Sequence, residues 1–227
     1  MRSFAIFIAV ACAIGAEAFA QGSTIEKTCP VDGKRFQFQG PPPSISRELF
    51  LDMKPVEPGE ASWPLPKCPD NGFVIYKSRF SESKLRKLRL FIAEEPYRSM
   101  VDTHSTHYLA AMLMKRVEEP PYDVAWSLVR ATWETSNPAH FRQYAEEALA
   151  AYESLPPGAA LPRRQRVLRE MMSGELERRL GMFDAAKRRF SSIRDEAEFT
   201  TPVLQRVIQL QLKLIGDKDS GSYRMPN

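Results

Sequence analysis

Several things are scarce in this chain of 227 residues. It has 11 glycines, 3 cysteines, 3 histidines and 3 tryptophans. So little glycine, beside long Ala/Leu/Glu/Arg-rich stretches, leans the chain toward helix. A dominant charge is also missing: 32 Lys and Arg face 28 Asp and Glu, a net of +4. That balance argues against a nucleic-acid partner, and no nucleic-acid contact is expected. No G-x-S-x-G, phosphate loop, glycine-rich dinucleotide turn or H-E-x-x-H occurs, so no catalytic residue can be named. Beyond residue 20, no stretch approaches the roughly 20 apolar residues that span a bilayer.

What is present begins at the N-terminus. The run MRSFAIFIAVACAIGAEAFA has a basic residue, Arg2, and an apolar stretch from Phe4 to Gly15. Ala18-Phe19-Ala20 gives the small-x-small pattern of a signal-peptidase site. The reading is a secretory signal peptide over 1–20, cut before Gln21. The alternatives are a retained anchor or a lipoprotein acylated at Cys12, whose lipobox is poor. Cleavage removes Arg2 and Glu17, so the net charge is unchanged. It leaves Cys29 and Cys68 as the only cysteines, in a periplasmic or secreted protein. Oxidising compartments turn such thiol pairs into disulfides.

Residues 21–80 are rich in proline, with Pro41-Pro42-Pro43 and then Pro55, Pro58, Pro64, Pro66 and Pro69. Such density forbids long helices. Strands are expected at 34–38 and 72–76, and a short helix at 44–53. From residue 81 the apolar period becomes helical. Seven helices are expected over 81–216, separated by proline-marked connections, with 217–227 a frayed tail.

Short connections make helical hairpins. In GELERRLGMFDAAKRRF, the residues Gly174, Gly181, Phe183, Ala186 and Phe190 are spaced as in a tetratricopeptide repeat. There, small residues let two helices approach and aromatics fill the gap beside them. Weaker echoes lie at Ala148 and Tyr152, and at Tyr122, Ala125 and Val129. The fold class expected is mainly α: a tetratricopeptide-like helical hairpin array with a small proline-rich β module at its N-terminus.

The most specific internal signal is a pair of turns, Cys29-Pro30-Val31-Asp32-Gly33 and Cys68-Pro69-Asp70-Asn71-Gly72. Both read C-P-x-x-G. They resemble the knuckles of a zinc ribbon, C-P-x-C-G, with Asp32 and Asn71 in place of the second cysteines. With the RRLGMFDAAKRRF segment and the Trp-containing helices, the chain resembles a family of uncharacterised bacterial proteins. That family joins paired knuckles to a tetratricopeptide-like region, and the match would cover about 28–195. The resemblance implies zinc. The loss of two ligands and the export signal turn that expectation toward a Cys29–Cys68 disulfide, with zinc or free thiols as alternatives.

Asp102, His104 and His107 form D-x-H-x-x-H, a weak metal candidate on one helix face. The metal candidates are therefore Cys29, Asp32, Cys68, His104 and His107, beside a reading of the histidines as polar first-turn residues. Basic groups at Lys84–Arg89, Arg163–Arg169 and Lys187–Arg189 are interleaved with Glu or core residues and read as solvated faces. Trp63, Trp126 and Trp133 read as packing residues. The function expected is a non-enzymatic protein- or peptide-binding scaffold, with a metal-binding protein as the alternative. No cofactor beyond possible zinc, no stable membrane span and an unidentified protein or peptide partner complete the reading.

Overall fold

A computed structural model of the chain describes residues 23–41, 48–56, 63–156, 161–194 and 196–226. The signal-peptide stretch, with Cys12, lies outside these residues. Alternation builds the first elements. Thr24–Thr28 (β1) and Arg35–Gln39 (β2) alternate exposed and half-buried residues. They pair antiparallel, Thr24 opposite Gln39 and Thr28 opposite Arg35. β2 lies one residue beyond the expected strand. β1 was not foreseen, because TIEKT offers a single apolar residue, Ile25.

The second expected strand shrinks to one bridge, Lys67 to Val74. Phe73 and Val74 are both fully buried. Consecutive inward residues break the alternation that a half-buried strand requires. The expected helix at 44–53 is also corrected over its described part, 48–53. There the chain reverses: Phe50 N–H donates to Lys54 O at 2.8 Å, and Asp52 Oδ1 accepts from Lys54 N–H at 3.0 Å. Leu49 bridges Pro55, which cannot donate to continue a helix.

Among the described residues, eight α-helices and a 3-10 turn at Ala197–Phe199 make up 54% of the structure. They are α1 (Glu82–Ala93), α2 (Glu95–Arg98), α3 (Thr106–Arg116), α4 (Pro121–Trp133), α5 (Pro138–Glu153), α6 (Arg163–Arg179), α7 (Phe183–Ile193) and α8 (Pro202–Gly216). The starts follow local chemistry. Ser81, Ser105 and Asn137 accept backbone N–H bonds as caps of α1, α3 and α5. Each such cap contributes about 1 kcal/mol. Proline opens α4, α5 and α8, where its missing N–H costs nothing. Each helix from α3 to α8 packs on the next. The short α2 is the element the sequence reading did not separate.

Gly174 of α6 lies against the ring of Phe190 of α7: a β-carbon there would sit 2.6 Å from Phe190 Cε2 and Cζ. Ala186 and Phe190 are buried, and Phe183 packs against the same core. Gly181, with φ 78°, turns the chain between the two helices. The five residues singled out from sequence thus all lie on α6, α7 or their connection.

Two apolar cores result. One runs through α3–α8 and takes in Leu51. The other joins Cys29, Cys68, Phe73 and Val74 to Leu88, Ile92, Tyr97, Leu109 and Leu113. The proline-rich module therefore shares its core with α1–α3, and the boundary near residue 80 is not a boundary between cores.

The segment expected as a frayed tail is folded back. Phe50 bridges Arg224, Leu51 N–H donates to Tyr223 O at 2.8 Å, and Met225 N–H donates to Leu49 O at 2.7 Å. Arg178, fully buried, holds this tail from beneath. Its guanidinium donates to Asp219 O at 2.6 Å and Gly221 O at 2.9 Å, and pairs with Glu175 and Gln211. Fully matched donors are what a buried guanidinium needs. The sequence shows only a polar tail; its anchor lies about forty residues upstream and leaves no local trace.

Candidate functional site

Two places carry unusual chemistry, and both involve the proline-rich module. The first is the pair of cysteine turns. Cys29 and Cys68 form a disulfide, with Cα atoms 5.8 Å apart. The turns are built alike. Gly33 N–H donates to Cys29 O at 2.9 Å, and Gly72 N–H to Cys68 O at 3.0 Å. Cys29 N–H donates to Lys34 O and Cys68 N–H to Phe73 O, each at 2.8 Å. Gly33 and Gly72 have φ of 75° and 72°, which is why glycine closes both turns.

Asp32 and Asn71 also match. Asp32 Oδ1 accepts from Lys34 N–H at 3.0 Å, and Asn71 Oδ1 from Phe73 N–H at 2.9 Å. Asn71 Nδ2 then donates to Asp32 Oδ2 at 2.9 Å, and to Cys29 Sγ at 3.6 Å. The four knuckle positions are therefore brought together, but by a covalent bond and an amide–carboxylate bond. The joined sulfurs are no longer thiolates, and thiolate is the form that ligates zinc. The residues do not fit a zinc ion.

The histidine pair does not form one site either. His104 precedes α3, and its Nδ1 lies 2.9 Å from Tyr144 Oη. Its ring stacks on His140 at 4.7 Å and on Tyr108 at 4.5 Å. His107, in the first turn of α3, turns away to Glu134. Partial burial and the neighbouring His140 push the His104 imidazole below its usual range. Asp102 is an exposed residue beside Lys67. Among the described residues, no three His, Cys, Asp or Glu side chains gather as a metal site, and no helix is long and apolar enough to cross a membrane.

The second place is a cavity of about 240 Å³ where the module meets α3 and α4. Leu65, Tyr76 and Lys77 come from the module. His107 and Met114 come from α3, and Trp126 and Arg130 from α4. Glu119 stands at the α3–α4 connection and Asp123 in the first turn of α4. Glu119 pairs with Lys77, lies 2.9 Å from Lys84 Nζ and accepts from Tyr76 Oη at 3.2 Å. Burial pushes the Glu119 carboxyl up, but the two lysines more than offset it, and the group stays below its usual range. Burial, then the Glu119 charge, pushes the Tyr76 phenol up.

His107 is the most constrained member of the wall. Its Nδ1 is in short contact with Glu134 Oε1, and Thr106 Oγ1 donates to the same carboxylate at 3.0 Å. Burial pushes the His107 imidazole below its usual range, so the ring is neutral and Nδ1–H donates. Burial also pushes Glu134 up, but the bonds from His107 and Thr106 outweigh it and keep the carboxylate ionised. Sequence reasoning named His107 but not Glu134, which lies 27 residues away, nor the cavity beside it. A larger concavity of about 750 Å³ lies between Pro69–Gly72 and α1–α2, and among the described residues none of its lining side chains is a buried polar group without a partner. Set beside known protein families, curated proteins and solved structures, the chain matches none.

Proposed function

We propose that this protein is an exported, non-enzymatic scaffold that seats a protein or peptide partner at the junction of its stapled module and its helical array. The observation that carries the reading is the two-sided wall of the 240 Å³ cavity. Leu65, Tyr76 and Lys77 reach it only while the module is docked on α3 and α4. Small concave sites with an apolar lining and a few fixed polar groups are where proteins hold ligands.

Further features support the rest of the reading. The N-terminal pattern over 1–20 and the Cys29–Cys68 disulfide both suit an oxidising compartment outside the cytoplasm. The matched turns, with Asp32 and Asn71 bonded where a ribbon has cysteines, support a knuckle pair closed without metal. The Gly174–Phe190 contact and the stepwise packing of α3–α8 support a tetratricopeptide-like array. Such arrays act through extended surfaces built by stacked units.

Site-specific photo-cross-linking tests the proposal. A photoreactive residue at Trp126 is expected to cross-link one partner from the cell envelope. The same probe at Leu90, exposed on α1, is expected not to do so. Equal labelling at both positions, or none at either, sinks the reading. N-terminal sequencing of the exported protein is expected to begin at Gln21; a retained Met1 sinks the export part.

A further inference from the structure

The C-terminal segment is seated chiefly through its backbone. Leu51 N–H donates to Tyr223 O at 2.8 Å, and Leu49 O accepts from Met225 N–H at 2.7 Å. Arg178 donates to the carbonyls of Asp219 and Gly221, at 2.6 and 2.9 Å. Side chains add little. From 217 to 226 only Asp219, Met225 and Pro226 are half-buried, and the others are exposed. Met225 is the apolar anchor, packed against the core of α3–α8. Reading main-chain amides and carbonyls is how a sheet edge accepts an added strand.

The joint that delivers the segment is strained. α8 ends at Gly216, and Lys218 then takes a φ of 52°. Its N–H donates to Ile215 O at 3.1 Å, and Asp219 N–H to Leu214 O at 2.9 Å. Helices usually place glycine in that reversal, because a β-carbon is disfavoured there. A segment with few buried apolar contacts opens locally while the helices stay packed. Opening relaxes Lys218, but it leaves Arg178 and the Leu51 amide without their acceptors.

We infer that the seat formed by Leu49–Leu51 and Arg178 also takes the 219–226 segment of a second copy, in reciprocal exchange between two chains. The occupant is set by fit. A second copy brings the same Asp219 and Gly221 carbonyls and the same Met225. It also brings an Arg224 to face Glu48, a pair that closes at 3.0 Å within one chain. Eight extended residues reach about 26 Å, enough to cross to an adjoining seat. Exchange keeps the contacts of the seat and relaxes both Lys218 turns. Against it stands the tether, which presents a chain's own segment at an effective concentration of about 1 mM. Strain at two turns offsets part of that advantage. The inference goes beyond the scaffold reading and does not use its cavity.

Sedimentation of the purified protein, with its disulfide intact, tests this. The unaltered chain is expected to be monomeric at about 10 µM and to dimerise only near about 1 mM. Lys218→Pro excludes the positive φ and removes the N–H that Ile215 accepts, so the chain's own tail no longer turns back. That variant is expected to dimerise at a concentration at least about tenfold lower, the scale of one strained backbone position. Lys218→Gly eases the closed turn and is expected to stay monomeric there. A photoreactive residue at Phe50, which bridges Arg224, is expected to join two Lys218→Pro chains through residues 219–226. If Lys218→Pro does not fold, the same probe in the otherwise unaltered chain at about 1 mM decides. Monomers throughout, for Lys218→Pro as for the unaltered chain, overturn the inference. So does a dimer whose chains are joined away from the tail.

Discussion

Phe190 occupies the space that a side chain at Gly174 would need. Its ring carbons lie 2.6 Å from the position of a β-carbon there. That contact sets how closely α6 and α7 approach. Gly174→Ala would gain up to about 1 kcal/mol of helix propensity. Overpacking in a dense core costs about 1–3 kcal/mol, and here the opposing atoms are a rigid buried ring. The net expectation is a destabilisation of about 1–2 kcal/mol in urea unfolding. Phe190→Leu in the same chain should recover part of it; equal losses in the single and double variants would refute the steric account.

The disulfide joins cysteines 39 positions apart in a module that shares its core with α1–α3. Replacing Cys29 and Cys68 with alanine is expected to cost about 2–4 kcal/mol. A thiol assay on the unreduced, cleaved protein is expected to find none, and two after reduction in denaturant. Two free thiols before reduction would contradict the bond.

Arg178 and Glu175 are a buried pair, with Arg178 also holding the two tail carbonyls. Arg178→Met strands the Glu175 carboxylate, an expected loss of about 3–5 kcal/mol. Adding Glu175→Leu is expected to return part of it. Limited proteolysis is the more specific reading: the 217–226 segment should become cleavable in both variants, since neither can hold the carbonyls.

Acid should loosen the protein from below neutrality. His107 and His104 lie below the ordinary value of 6.5 in the folded chain. As pH falls through 6.5, the unfolded chain takes up protons that the folded one refuses, so stability drops. Glu134, held below its ordinary 4.5, adds to the loss at lower pH as it too must be protonated. Urea midpoints are expected to fall between pH 7.5 and 5.5, with a shallower fall in His107→Phe. A flat profile would count against a buried neutral His107.

Local chemistry was the legible part. The proline-marked connections announce where helices stop and start, because proline acts on the backbone within a residue or two; Ser105 and Asn137 emerge as caps only in the structure. The matched C-P-x-x-G turns announced a pair. Distant partnerships were not legible. Nothing near His107 names Glu134, and nothing near residue 220 names Arg178. The strand at 72–76 failed for a related reason. Phe73 and Val74 face one core together because α1–α3 cover them, and that covering is a tertiary event.

The pairing of Phe50 with Arg224 has a consequence for how the molecule is made. Glu48 and Arg224 close an ion pair across 176 positions. Strand-like contacts of that span are slow to form, because the entropy lost in closing so long a loop comes before the contact offsets it. Leu49–Leu51 and Tyr223–Met225 pair only once residue 225 is in place. Until then Leu51 lacks its backbone acceptor and Arg178 its carbonyls. The segment around Leu51 and the 219–225 segment are thus latched late, after the helices between them have packed.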